Sequence, residues 1–94
     1  MTPSAEPALA IIALLKQRKE TTLEGNKEYF DVLGWDGDRF FRSRGESNGC
    51  QETSRDYLND GEVLTVIRDF YEHRARERLS DEVILERLRR YRFF

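Results

Sequence analysis

His73 is the residue best suited to acid–base or metal chemistry, because it is the only histidine in the sequence. An imidazole can act as a general base or as a metal ligand. Cys50 could add a thiol, and Asp69 or Glu72 a carboxylate, but none stands at a spacing typical of a metal site. We therefore expect His73 to be an exposed helical residue and Cys50 to be inert. The sequence predicts no enzyme, no catalytic residue, no metal site and no cofactor.

A second candidate for chemistry is the acidic group around Asp36 and Asp38, with Asp31 and Glu46 nearby in the chain. A calcium loop needs ligands at several alternating positions and a bidentate carboxylate at its end, and this spacing does not provide them. The dipeptide Asp36-Gly37 is instead typical of a tight turn. We predict a turn at this point and no cation site.

Arginines are concentrated in the last third of the chain. They are Arg68, Arg74, Arg76, Arg78, Arg87, Arg89, Arg90 and Arg92. Guanidinium groups bind phosphates, so Arg87, Arg89, Arg90 and Arg92 are the candidate residues of an alternative, nucleic-acid-binding function. Acidic residues are interleaved with them, however, and 16 Lys and Arg against 18 Asp and Glu give the chain a net charge of −2. We expect a solvated helix surface in which Glu86 pairs with Arg90.

The aromatic segment from Tyr29 to Ser43 is the preferred candidate for a binding surface. In the register predicted below, one face of a β-hairpin carries Tyr29, Leu33, Trp35, Phe40 and Arg42. Aromatic side chains mixed with arginine are typical of interfaces between proteins. We predict a non-enzymatic protein-interaction module or a small regulator or inhibitor, with self-association through the same hairpin as part of that hypothesis. Two alternatives stay open: this face is the core and the Phe30, Val32 and Phe41 face is wet, or both faces are buried.

The hairpin itself is predicted from Asp36-Gly37, which lies between two runs of aromatic and β-branched residues. Asp-Gly accepts the positive φ angles of a two-residue type I′ turn, so the sequence predicts that Trp35 pairs with Asp38. That register places Leu33 opposite Phe40. We expect Gly34 to relieve crowding beside Trp35 or to mark a bulge.

Helical periodicity predicts three helices around this hairpin. Apolar spacing indicates helices over residues 4–19, about 60–76, and from about 80 to Arg92, with Leu9 and Leu14 widening the buried stripe of the first. Asn59 and Glu62 form the pattern of a capping box at the start of the second. A third strand is predicted at about residues 50–56, because a long structureless loop is unusual in a small domain. The segment between the first helix and Lys27 is predicted to be a connection.

The sequence therefore predicts one α+β domain over residues 1–94, with an N-terminal helix, an antiparallel hairpin with a possible third strand, and two C-terminal helices packed on the sheet. A single cysteine excludes an intrachain disulfide and favours a cytoplasmic protein. The apolar run from Ala8 to Leu15 is too short to span a membrane, so no membrane partner is expected.

Overall fold

An N-terminal helix, a four-stranded antiparallel sheet and two C-terminal helices make up the protein, and this confirms the predicted α+β class. The structure is a computed structural model and describes residues 6–49 and 51–90. The elements are α1 (Glu6–Arg18), β1 (Glu20–Gly25), β2 (Tyr29–Trp35), β3 (Phe40–Glu46), β4 (Gln51–Leu58), α2 (Asp60–Ala75) and α3 (Asp81–Arg90). The strands follow the order β1-β2-β3-β4. None of the helices in the described ranges has the length and apolar content needed to cross a membrane.

The core lies between the three helices and one face of the sheet. Its buried side chains are Ile11, Ile12, Leu15, Leu23, Leu33, Phe40, Val63, Ile67, Tyr71, Leu79, Ile84, Leu85 and Leu88. Residues of α1 recur at helical spacing in this cluster, as the sequence predicts. Leu9 is an exception, because 65% of it is exposed and it does not widen the buried stripe.

Helix α2 begins at a capping box, as the sequence predicts. The Asn59 side chain accepts a hydrogen bond of 2.8 Å from the backbone N–H of Glu62, and the Glu62 carboxylate accepts one of 3.0 Å from the backbone N–H of Asn59. These two bonds satisfy backbone donors that have no partner within the helix. The box thereby sets the point at which β4 ends and α2 begins.

Replacing Asn59 by alanine is expected to lower the free energy of unfolding by about 1 kcal/mol, because the N-terminus of α2 loses its side-chain acceptor. Urea denaturation followed by circular dichroism measures this change. Asn59→Asp is the matched control, since it keeps an acceptor oxygen and should retain nearly all of the stability. An equal loss in both variants would contradict a capping role.

Strand β1 occupies residues that the sequence analysis assigned to a connection, and that prediction was wrong. Leu23 is the only large apolar residue among the six of β1, so the period-two pattern is weak. Helix α1 also ends without a glycine, at Lys19, whose φ of 68° lies in the left-handed region. The sequence therefore lacks a glycine at the end of α1 and a clear alternating pattern for the strand that follows it.

The β2–β3 hairpin has the predicted strands but a different register. Trp35 pairs with Phe40 rather than with Asp38, so the loop contains four residues instead of two. The Asp36 side chain accepts hydrogen bonds from the backbone N–H groups of Asp38 (2.8 Å) and Arg39 (2.7 Å), and the Asp36 N–H donates to the Arg39 oxygen. Only Gly37 has a positive φ, whereas a type I′ turn needs two such residues. The aspartate side chain thus stabilises a longer turn.

The strand predicted at about residues 50–56 is confirmed as β4, Gln51–Leu58, with residue 50 outside the described residues. It pairs along β3, with a bulge between Ser54 and Glu52 opposite Arg44 and Gly45. Its residues are exposed apart from Leu58. β4 is therefore an edge strand that the helices scarcely cover.

The two faces of the sheet have different surroundings. Leu33 and Phe40 point into the core under the helices, and the alternation of a strand sends Val32 and Phe41 to the other side. Phe41 is buried but is not part of the core cluster. We call the helix-free side the open face; along the registers of the sheet it comprises Glu20, Thr22, Gly25, Phe30, Val32, Gly34, Phe41, Ser43, Gly45, Glu52, Arg55 and Tyr57.

Candidate protein-binding surface

The hairpin face that the sequence analysis proposed for binding is largely the core of the protein. Phe40 is 1% exposed and Leu33 is 2% exposed, so neither side chain is accessible to a partner in this structure. Trp35 is half-buried, with its ring centroid 4.7 Å from that of Phe40 and the Lys16 ammonium 4.6 Å above it. Leu33, Trp35 and Phe40 therefore belong to the core beneath the helices. That this face is the core is one of the alternatives that the sequence left open.

Tyr29 and Arg42, the other two predicted binding residues, lie on the same face of the sheet but farther from the hairpin turn than these rings. The Tyr29 side chain is accessible, and its hydroxyl donates a hydrogen bond of 2.9 Å to Glu24, which raises the pKa of the phenol. Arg42 donates bidentate hydrogen bonds of 2.9 and 2.6 Å to Asp31. This pairing raises the pKa of Arg42. Both groups therefore have partners within the chain.

A groove of about 940 Å³ lies between this part of the sheet and helix α2. It is lined by Leu23, Glu24, Asp31, Arg42, Val66, Asp69, Phe70, Glu72, His73, Arg74 and Arg76. His73 is exposed, as the sequence predicts. Glu72 accepts a hydrogen bond of 2.7 Å from the backbone N–H of Leu79, and Arg74 lies 4.4 Å over the Phe70 ring. These contacts hold the α2–α3 connection and the helix surface in place.

His73 belongs to no group of metal-ligating side chains in the part of the chain that the structure describes. Among residues 6–49 and 51–90, no three His, Cys, Asp or Glu side chains are grouped so that they could hold an ion. Cys50 lies outside the described residues. In the turn, the Asp36 carboxylate accepts backbone hydrogen bonds from Arg39 and Asp38, which lower the pKa of Asp36 and account for its position there.

The open face is arranged in three rows across the four strands. The first row is Glu20, Gly34, Phe41 and Tyr57; the second is Thr22, Val32, Ser43 and Arg55; the third is Gly25, Phe30, Gly45 and Glu52. Cross-strand neighbours on one face contact one another, so each row is a unit of packing. The first and third rows contain the aromatic rings. The second row contains smaller side chains and, on β4, Arg55.

Two phenylalanine rings lie across glycines of the neighbouring strand. A methyl group on Gly34 would come within 2.7 Å of the Phe41 ring, and one on Gly45 would come within 2.7 Å of Phe30 Cζ. Each ring thus occupies the space of a missing side chain, a known way to cover glycine in a sheet. Gly34 was predicted to relieve crowding beside Trp35 or to mark a bulge, and this prediction was wrong. The glycine instead makes room for the Phe41 ring on the open face. The open face is consequently nearly flat.

Two arginines lie over aromatic rings on the open face. The Arg39 guanidinium is 3.7 Å from the centroid of Tyr57, and that of Arg55 is 4.1 Å from the centroid of Phe41. Tyr57 is 46% exposed, whereas Phe41 is almost covered. Cation–π contacts of this kind hold the guanidinium planes flat against the sheet.

Glu52 fixes the position of Arg55 in this arrangement. Its carboxylate accepts hydrogen bonds of 2.7 Å from Arg55 and 2.6 Å from the Ser43 hydroxyl. Together these bonds lower the pKa of Glu52. Arg55 is therefore ion-paired and stacked at once, which leaves Arg39 as the less constrained cation of the two.

The arginines proposed for nucleic-acid binding are dispersed over α3. Arg90 pairs with Glu86 at 3.0 Å, which confirms the predicted ion pair. Arg87 is half-buried, while Arg89 is exposed, and Arg92 lies outside the described residues. Arg18 of α1 donates to the backbone oxygen of Leu88, so this end of α3 is also occupied by packing within the protein.

Sequence reasoning identified one half of the open face and missed the other. Phe30, Val32 and Phe41 were assigned to a single face, because a strand alternates with a period of two. Arg55 and Tyr57 were missed because β4 has few apolar residues and its pairing with β3 was not predicted. Their alternation with the half-buried Leu58 is the signal that could have placed both on the side away from the helices.

No comparison with known proteins assigns this chain to a family: no protein-family model matches it, and neither the curated proteins nor the solved structures that were searched include a match.

Proposed function

We propose that the protein is a non-enzymatic protein-interaction module that uses the open face of its sheet as a docking surface. The observation that carries this proposal is the pair of stacked contacts, Arg39 over Tyr57 and Arg55 over Phe41, on the side of the sheet without helices. Tyrosine and arginine are among the residues most enriched at the energetic centre of protein interfaces. A role as a small regulator or inhibitor would follow if the docked partner has an activity of its own.

The rigidity of the open face supports this function. Binding immobilises side chains, and each long side chain that is ordered on association costs about 0.5–1.5 kcal/mol. Arg55 is already held by Phe41 and Glu52 in the unbound protein. The rings over Gly34 and Gly45 make the surface flat, which suits a partner surface with little relief.

Tyr57 is the residue through which the proposal is tested. We expect that the double substitution of Tyr57 and Arg39 by alanine weakens capture of a bound protein by immobilised protein roughly 30-fold, as expected for the loss of a hot spot of about 2 kcal/mol. The measurement is quantitative affinity capture followed by mass spectrometry. Because both side chains are on the surface, the double variant should keep its fold, as judged by circular dichroism.

The matched control substitutes one exposed apolar residue and one exposed arginine outside the open face, Leu9 and Arg89, by alanine. Capture should be unchanged in this control. Equal capture by the wild type and by the Tyr57 and Arg39 variant would contradict the proposed surface. Salt-sensitive binding of mixed single-stranded nucleic acid that is lost on substitution of Arg89 and Arg90 would instead support the alternative function on α3.

A further inference from the structure

The first row of the open face carries opposite charges at its two ends. Glu20 stands at the β1 edge of this row and Tyr57 at the β4 edge, where Arg39 stacks over the ring. Glu20 is exposed, and no ion pair joins it or Arg39 to another described residue. Within one chain these charges are separated by the width of the sheet, about 15 Å for four strands. Each is therefore available to an opposite charge from outside.

A two-fold axis parallel to the strands would bring the two ends of this row together. When two copies stack their open faces about such an axis, β1 of each copy lies over β4 of the other and every row faces the same row. Glu20 of each copy then faces Arg39 of the other, and the contact forms twice because the interface is symmetric. In the second row Thr22 faces Arg55. No like charges are opposed, and sheets pack face to face in nearly this alignment.

Two other symmetric arrangements oppose like charges in the registers that centre the axis on a charged residue. An axis across the strands places β4 over β4, and where this axis passes through the second row, Arg55 of one copy faces Arg55 of the other. Side-by-side pairing of two β4 strands puts Arg55 opposite Arg55 or Asp56 opposite Asp56 when the axis passes through either residue. Like charges directly opposite each other destabilise strand pairs. Charge complementarity thus favours stacking with the axis along the strands.

We infer that the occupant of the open face is a second copy of this chain, with Glu20 of each copy against Arg39 of the other. The inference rests on the proposed function and specifies its partner. Four strands about 4.8 Å apart and about 20 Å long present roughly 400 Å² per copy. Both copies together bury less than a standard interface, so the dimer is weak, with a dissociation constant in the micromolar range or above.

Charge reversal at the two positions tests this arrangement. Sedimentation velocity and light scattering of the wild type at about 10–500 µM should show a monomer–dimer equilibrium. Glu20→Arg and Arg39→Glu should each weaken dimerisation about tenfold, because each variant opposes like charges twice. An equimolar mixture of the two variants should dimerise like the wild type, since both contacts in the mixed dimer join Arg to Glu. Raising the salt concentration should weaken the wild-type dimer.

Arg89→Glu is the matched control, because it reverses an exposed charge on α3 and should leave dimerisation unchanged. A dimer that is insensitive to both reversals, or a mixture that fails to recover, would overturn the inference. So would a wild type that stays monomeric throughout the concentration range. If such a monomer still captures a different protein and loses it on substitution of Tyr57 and Arg39, the proposed function stands and only the identity of the partner is wrong. If the wild type neither dimerises nor captures a protein in a way that depends on Tyr57 and Arg39, both the proposed function and this inference are wrong.

Discussion

Replacing Phe40 by alanine is expected to lower the free energy of unfolding by about 3–5 kcal/mol, the usual cost of removing a buried phenylalanine. Its side chain is almost wholly inaccessible, and its ring packs against that of Trp35 at the base of the helix layer. Loss of the ring leaves a cavity that the neighbouring helices and strands fill only in part. Small domains have about 5–15 kcal/mol of stability in total, so a large share would be lost.

Urea denaturation of the Phe40→Ala variant measures this effect, and Leu9→Ala is the control. Leu9 is an equally apolar residue on an exposed part of α1, so its replacement should change the stability by no more than about 0.5 kcal/mol. A Phe40→Ala variant that keeps its stability but loses a partner would show that the hairpin face first proposed from the sequence is the true docking surface. The structure predicts the opposite result.

Replacing Gly45 by alanine is the substitution on the open face with the largest expected effect on stability. A methyl group at Gly45 would lie far closer than 3.0 Å to the backbone oxygen of Gln51 and would also contact Phe30 and Glu52. Backbone atoms of a paired strand cannot rotate away, so β4 must shift at its bulge. Overpacking of this kind typically costs about 1–3 kcal/mol. We also expect Phe30 to leave its position over the glycine.

Gly25→Ala is the control for this prediction, because Gly25 lies in the same row of the open face. A methyl group there would meet Thr22 Cγ2 at 3.6 Å, an ordinary van der Waals contact. Its stability in urea should stay within about 0.5 kcal/mol of the wild type. Equal stability of the two variants would show that the close approach of β4 to Gly45 does not constrain the sheet.

In the β2–β3 hairpin, the sequence predicted which side chains share a face but not the register of the two strands. The predicted pairing of Trp35 with Asp38 is two positions away from the observed pairing with Phe40. A slip of two residues keeps every side chain on its side of the pleat, so the two faces were assigned correctly although each cross-strand pair was wrong. The error arose at Asp36, whose side-chain hydrogen bonds lengthen the turn.

Local patterns by themselves determined the three helices, the capping box at Asn59, the two strands around Asp36-Gly37 and the division of β2 and β3 into two faces. All of these depend on contacts within a few residues of the chain or on a strict period. Strand β1 lacks such a pattern, and it forms because β2 offers it an unpaired edge. Which face binds the helices was decided only by the tertiary structure, because both faces of the hairpin carry aromatic residues. The helices cover Leu33 and Phe40, whereas on the open face Phe30 and Phe41 lie over Gly45 and Gly34, and Arg55 covers the Phe41 ring.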